Sequence, residues 1–361
     1  MTIKANKGEW SEFYAFLKIL DEKKIFAADK NLQIIPDKFF VFQKVFRAEK
    51  GEGQKIFDIT GSEILILDKD SNTIKKFSDK DLSNKIVKIF NKIKASEETT
   101  FEITEATDVM SDLLCTRIKA DSNTKADIEA EVVDRITDTV APLGFSVKSI
   151  LGGASTLLNA GKTTNFVFEV KDLDKKHIDS INSISTRSKV QDRIKAIIEH
   201  GGKLIFKNVL RKEFESNLKK MDTVFPSFVA QMLCDFFSNK AIKVSDLTIL
   251  LSANISLLEK YGLSHSDYEF KVKNFLQSTA LGMVPSKVWD GFTKAHGDYI
   301  IVRNDGVVIC YHLYNRDEFL SYLYENTKFE SASTSRHEYG SLYLEGDKIL
   351  FNLNLQIRFV K

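Results

Sequence analysis

Cysteine is scarce, with three in 361 residues at Cys115, Cys234 and Cys310. Their wide separation has no zinc-type spacing and the count is odd. Neither a zinc site nor a secreted disulfide framework is therefore expected, and a reducing cytoplasm suits the chain. Histidine is also sparse, at six. The six are scattered, so no nucleophile and base can be paired from sequence. Long apolar runs are missing, which excludes a transmembrane helix. The first residues, Met1 to Glu9, carry no apolar signal segment, so a cytoplasmic rather than secreted protein is expected. An excess of one charge is missing too: 52 basic against 50 acidic residues leave a net charge of +2. A nucleic-acid partner would need a locally basic cleft, because no global positive field supplies affinity.

What the chain does have is core material: 27 Phe within a 43% hydrophobic composition. Its length exceeds the usual single core, so two or more cores, or one elaborated core, are expected. Apolar residues recur at helical spacing from Lys7 to Asp21 (Trp10, Phe13, Tyr14, Leu17, Leu20) and from Leu82 to Ile93. Phe39–Phe42 and Ile64–Leu67 read as strands. Residues 172–285 read as largely helical, with Pro226 and Pro285 as punctuation. In the same region the basic stretches Lys171–Lys195 and Lys203–Lys220 read as solvated helix faces. Residues 286–361 read as strand-rich, with Asn304-Asp305-Gly306 signalling a hairpin. The expected organisation is therefore an N-terminal helix with a small β-rich region (1–100), a hairpin and core sheet (101–171), a helical region (172–285) and a C-terminal strand region (286–361). This is an α/β (α+β) chain.

Chemistry concentrates between Asp127 and Lys148. Lys125 to Val133 alternates apolar Ala126, Ile128, Ala130 and Val132 with charged residues, and Leu143 to Leu151 resumes the alternation after a polar stretch. Two antiparallel strands follow from that period. Ser146 and Lys148 share one face, Asp127 shares a face with Glu129 and Glu131, and register decides whether the two faces meet. A carboxylate and a lysine meeting at one end of a sheet can hold a divalent metal and handle an attacking water. On spacing alone a solvated surface hairpin is the stronger reading and the functional one is weak. A second motif, Asn159-Ala160-Gly161-Lys162-Thr163, imitates the end of a phosphate-binding loop. However, Thr156 stands where that loop needs glycine, and Thr164–Val170 reads as a strand where the loop needs a helix, so no nucleotide cofactor is expected.

Several blocks together resemble type II restriction endonucleases of the HpaII family. They are Gly8–Tyr14, Gly144–Ser149 running into Gly152 and Ser155–Ala160, Thr164–Phe166, Trp289–Gly291, 297–302, 311–316, Asn326–Glu330, Ser335–His337 and Leu353–Phe359. The resemblance spans the chain from its first helix to its last strand. It implies a PD-(D/E)xK, restriction-endonuclease-like mixed sheet flanked by helices, with a helical insertion and a strand-rich C-terminal region that could read the target. It also implies Mg2+ dependence and double-strand cleavage of DNA at the palindrome CCGG.

Carried over by position, Asp127 matches the acidic residue of that fold's hairpin and Lys148 its lysine. Ser146 departs from the pattern, since Glu or Asp is usual two residues before the lysine and a hydroxyl is a poorer Mg2+ ligand. Either another carboxylate replaces it, with Glu12 preferred over Glu9 on the first helix, or the metal is held by Asp127, the Val147 carbonyl and water. A plain surface role for either glutamate stays open. The departure also keeps a second function in view, a catalytically inactive, sequence-specific DNA-binding protein of the same fold. Lys328, Ser335, Arg336, His337, Gln356 and Arg358 offer donors for guanine edges or phosphates, and Asn159, Thr164 and Asn165 could position the DNA backbone. A palindromic target suggests a homodimer, with a monomer nicking each strand in turn as the alternative.

Overall fold

The computed structural model describes residues 3–49, 53–119, 126–134, 139–292, 299–311 and 316–360. Lys125 and the resembling blocks at 297–298 and 312–315 lie outside these. The strands begin with β1 (Lys24–Ala28), β2 (Ile34–Glu49), β3 (Gly53–Asp58), β4 (Ile64–Leu67), β5 (Thr73–Phe77), β6 (Ile128–Asp134) and β7 (Thr139–Ser149). Next come β8 (Thr156–Leu158), β9 (Asn165–Lys171), β10 (Lys203–Val209), β11 (Tyr299–Val302) and β12 (Val308–Tyr311). The last are β13 (Thr327–Phe329), β14 (Leu342–Glu345), β15 (Lys348–Asn354) and β16 (Ile357–Phe359). The first helices are α1 (Lys7–Glu22), α2 (Leu82–Ala95) and α3 (Thr104–Asp112). Two compact units emerge, one from Met1–Ser155 with Lys294–Tyr322 and one from Thr156–Thr293 with Leu323–Val360. The chain thus divides at 155/156, and β11 and β12, from the C-terminal strand zone, join the first unit.

In the first unit the strands form one mixed sheet in the order β1-β12-β11-β7-β6-β2-β3-β4-β5. β1 also pairs with β2, which closes β1, β12, β11, β7, β6 and β2 into a ring. β7 runs parallel to β11 and β12 parallel to β1, whereas the hairpins β6–β7 and β11–β12 are antiparallel. The Asn304-Asp305-Gly306 hairpin forms as its sequence demands. Gly306 sits at φ +88°, and an added Cβ would lie 3.2 Å from the Tyr14 hydroxyl.

α1 is the hub of this core. Asn6 and Glu9 form a reciprocal capping box at its start, and Lys23 ends it in the left-handed conformation. Trp10, Phe13, Tyr14, Phe16, Leu17, Ile19 and Leu20 are all buried among Phe42, Phe57 and Phe145 of the sheet and Ile86, Ile89 and Phe90 of α2. Two polar anchors fix its rotation: Trp10 Nε1 donates to the Phe101 carbonyl at 3.0 Å and the Tyr14 hydroxyl donates to the Gly306 carbonyl at 2.6 Å. Each fully buried Phe contributes about 1.5–3 kcal/mol, so the apolar stripe, not helix propensity, holds α1 in place.

The second unit has two sheets, β10-β9-β15-β14 and β13-β16-β8. Its core gathers Phe166, Phe168, Phe214, Phe225, Phe228, Leu233 and Tyr268. The region read as helical contains β10, which pairs antiparallel with β9 along Lys203–Val209. The basic stretch from Lys203 is therefore a strand first, and becomes helical at Lys212–Lys219. Leu204, Phe206 and Val209 are apolar and β-forming, and strand pairing overrides the spacing of the charges. After Lys162 a single 3-10 turn leads into β9, the strand expected there.

Candidate active site

The register of the β6–β7 hairpin settles which faces meet. Ile128 pairs with Phe145, which places Asp127 opposite Ser146, on the face that Lys148 also shares. Gly144 makes room at that end of the hairpin, because an added Cβ would stand 2.8 Å from the Ala126 Cβ. The Asp127 backbone N–H donates to the Phe145 carbonyl at 2.8 Å. Its carboxylate Oδ2 in turn accepts from Val147 N–H at 2.9 Å and from Ser146 Oγ at 3.2 Å. Lys148 Nζ donates to Ser146 Oγ at 3.1 Å. The serine at the position usually held by a carboxylate is therefore a bridge from Asp127 to Lys148. Val147 enters the site through its N–H; coordination by its carbonyl remains a proposal.

α1 brings the second carboxylate. Ser11 is fully buried; its Oγ donates to the Lys7 carbonyl at 2.7 Å and meets Ser149 Oγ on β7 at 2.8 Å, tying helix to strand one residue before Glu12. Glu12 Oε1 and Asp127 Oδ1 both receive the Lys119 ammonium, at 3.4 and 3.1 Å. Glu12 Oε2 lies 3.4 Å from the same nitrogen yet is buried without a hydrogen bond. Glu9 sits elsewhere: its carboxylate accepts the Asn6 backbone N–H at 2.9 Å in the capping box, so the helix start claims it. Of the two glutamates considered from sequence, Glu12 alone joins Asp127.

Electrostatics follow from this geometry. Burial, then the neighbouring Asp127 charge, push Glu12 up from 4.5 to about 7 despite Lys119. Burial also holds the Lys148 ammonium below its usual range, against the pull of Asp127 and Glu12. Its Nζ packs 5.4 Å from the Tyr299 ring centroid. For Lys119, burial works in the lowering direction, but Asp127 and Glu12 outweigh it and raise its pKa. Two carboxylates, one orphaned carboxylate oxygen and a hard-oxygen donor set suit Mg2+, which typically takes one or two carboxylates plus water and phosphate.

Sequence reasoning missed Lys119, and no periodicity could have found it. It follows an irregular segment held by buried charges. Arg47 donates to the Ile118 carbonyl at 3.0 Å and to the Arg117 carbonyl, and pairs with Glu49 at 2.7 Å. Glu49 Oε2 accepts from Thr116 N–H at 3.1 Å, and Lys55 donates to the Leu114 carbonyl. A cleft lined by Glu12, Phe16, Arg47, Lys119 and Asp127 opens beside these groups.

The residues considered for DNA contact all lie in the second unit. Lys328 and Arg358 face each other across β13 and β16 and share Glu330, at 3.7 and 3.1 Å. Ser335 and Arg336 are exposed on the short helix Thr334–His337, with His337 half-buried beside them. Gln356 is half-buried and its carbonyl accepts the Glu330 N–H at 3.2 Å. Asn159 is exposed. Thr164 and Asn165 have an internal task where the sequence suggested DNA contact, since both are fully buried. Asn354 Nδ2 donates to Asn165 Oδ1 at 2.7 Å and to the Gly161 carbonyl at 2.8 Å. Asn165 Nδ2 in turn donates to the His337 carbonyl at 2.9 Å. This network holds the C-terminal end of the Thr334–His337 helix through its His337 carbonyl.

A carboxylate beside the β6–β7 hairpin, a carboxylate from α1 and a desolvated lysine are groups that a phosphodiester-cleaving nuclease can use, and sequence comparison identifies the family. The family description HpaII restriction endonuclease matches residues 6–359, and the chain belongs to that family. Among curated proteins it is similar to the type II restriction enzyme HpaII of Haemophilus parainfluenzae, 37% identical over 357 residues that cover 98% of each chain. The protein is accordingly a site-specific deoxyribonuclease. No solved structure matches it. Among the described residues, no helix is long and apolar enough to cross a membrane.

Proposed function

We propose that this protein makes double-strand breaks in DNA at CCGG in a Mg2+-dependent reaction, using a restriction-endonuclease-like core with Asp127, Glu12, Ser146 and Lys148 at its centre. The observation that carries the reading is the register that sets Asp127 against Ser146 and Lys148 while α1 delivers Glu12. Asp127 and Glu12 would hold the cation. Once bound, it supplies neutralisation of charge developing on the phosphate and a more acidic water. Lys148, desolvated and tethered to Ser146, orients the attacking water, accepts its proton or stabilises the phosphorane-like transition state. Water attacks phosphorus in line, one P–O ester bond breaks, and the leaving oxygen takes up a proton. Lys328, Arg336, His337, Gln356, Arg358, Ser335 and Asn159 are the groups proposed to meet DNA, while Thr164 and Asn165 act on it through the backbone they support. A palindromic target read by two copies makes a homodimer the expected assembly.

The test is digestion of unmethylated plasmid with the pure protein and Mg2+, followed by sequencing of the product ends. Fragments ending within CCGG, absent in EDTA, are expected. Ends at another sequence would remove the proposed target, and equal cleavage in EDTA would remove the metal.

A further inference from the structure

The Lys119 ammonium touches both carboxylates proposed to hold the cation, 3.1 Å from Asp127 Oδ1 and 3.4 Å from each oxygen of Glu12. We propose that Lys119 is the resident counter-ion of this pair, so that binding of a divalent cation requires Lys119 to leave it. The inference rests on the metal reading above and adds a competitor to it.

Exclusion follows from distance. A hard divalent cation sits about 2.0–2.6 Å from its carboxylate oxygens. An ammonium within about 3.4 Å of those same oxygens would then lie a few ångströms from a doubly charged ion, with strong repulsion. Lys119 can leave, because its side chain keeps 51% of its exposure and its stem is flexible. It is also delivered on purpose-built backbone. Arg47, Glu49 and Lys55 are 5%, 3% and 6% exposed, and their bonds to Leu114, Thr116, Arg117 and Ile118 hold the residues just before Lys119. Three buried charges aimed at one loop are costly to desolvate, which argues for a loop whose position matters. Without Lys119, the charge of Lys148 would remain to offset the repulsion between Glu12 and Asp127, but the direct ammonium contact with both carboxylates would be lost.

The test is calorimetric titration of Mg2+ and of Ca2+ into the full-length protein without DNA, at pH 8.5, for wild type, Lys119→Met and Lys119→Arg. Releasing two partly exposed ion pairs should make Lys119→Met bind either cation roughly tenfold more tightly than wild type. Lys119→Arg, which keeps the charge, should stay near wild type. Equal or weaker binding by Lys119→Met overturns the proposal while leaving the metal reading standing. Failure of all three folded proteins to bind either cation at millimolar concentration, with or without a CCGG duplex, overturns both. A matched tightening in Lys119→Arg would also overturn it, since the residue's shape and not its charge would then be responsible.

Discussion

Glu12→Gln should stabilise the protein while stopping cleavage. In the folded chain Glu12 is pushed from 4.5 to about 7, by burial first and by Asp127 second. The side chain keeps 18% exposure, so little solvent screens it. Between pH 4.5 and 7 the native state holds a proton that the unfolded state has released. Stability therefore falls as pH rises through that window, and the whole penalty is present above pH 7. A rise from 4.5 to about 7, at about 1.4 kcal/mol per pH unit, amounts to roughly 3 kcal/mol. Glutamine has nearly the same shape and never ionises, so at pH 8.5 in EDTA the variant should melt roughly 5–10 °C higher than wild type. The advantage should shrink as pH falls and vanish near pH 4.5. Thermal unfolding followed by circular dichroism from pH 4.5 to 9, beside a plasmid digestion, reads both effects. A Glu12→Gln protein no more stable than wild type at pH 8.5 would refute the electrostatic reasoning. One that still cuts at the wild-type rate would refute the assignment of Glu12 as a ligand.

Lys148→Met keeps an apolar stem of similar length but removes the ammonium, and with it the contact 5.4 Å from the Tyr299 ring centroid. Cleavage should fall by about 10²–10⁴-fold, while gel-shift affinity for a CCGG duplex in Ca2+ stays within a few-fold; a loss of affinity matching the loss of rate would make Lys148 a DNA-binding residue instead. Arg336→Ala distinguishes two uses of one exposed side chain. Base reading predicts a loss of about 1–3 kcal/mol confined to the correct sequence, whereas phosphate contact predicts weakening on every sequence and a salt slope lower by about one. Equal affinity on all duplexes at all salt concentrations would remove Arg336 from the interface.

Local sequence carries the elements that pack by period. α1 shows its core face at every third or fourth residue, the Asn304-Asp305-Gly306 turn dictates the β11–β12 hairpin, and alternation from Ala126 to Val132 reports a strand with one buried face. What joins these pieces is not local. β11 lies beside β7 through pairs such as Ile300 with Val147, residues with no common motif. The site divides in the same way. Asp127, Ser146 and Lys148 belong to one hairpin and can be read from it. Lys119 lies in an irregular segment whose place depends on Arg47, Glu49 and Lys55, two of them on β2 and one on β3. β10 was hidden for another reason. Its lysines at Lys203 and Lys207 also fit a helix face, and pairing with β9 decides between the two readings.

A second metal-binding carboxylate carried on a helix, as proposed for Glu12, has a structural consequence. A Glu two residues before the lysine would be fixed by the pleat of β7, but Glu12 is only as well placed as α1 is docked. The docking contact nearest to it is the part-buried Ser11–Ser149 hydrogen bond of 2.8 Å, made by the residue that precedes Glu12. Ser11→Ala and Ser149→Ala should each cost about 1 kcal/mol. In a double-mutant cycle they should couple by about 0.5–1.5 kcal/mol, since both remove the same bond. Cleavage should fall in each single variant by more than the unfolded fraction explains, with little further loss in the double variant. The large apolar face of α1, from Trp10 to Leu20, keeps the helix folded against the sheet throughout. Additive stabilities together with unchanged cleavage would mean that this core alone sets the position of Glu12, and that the serine pair contributes nothing to the site.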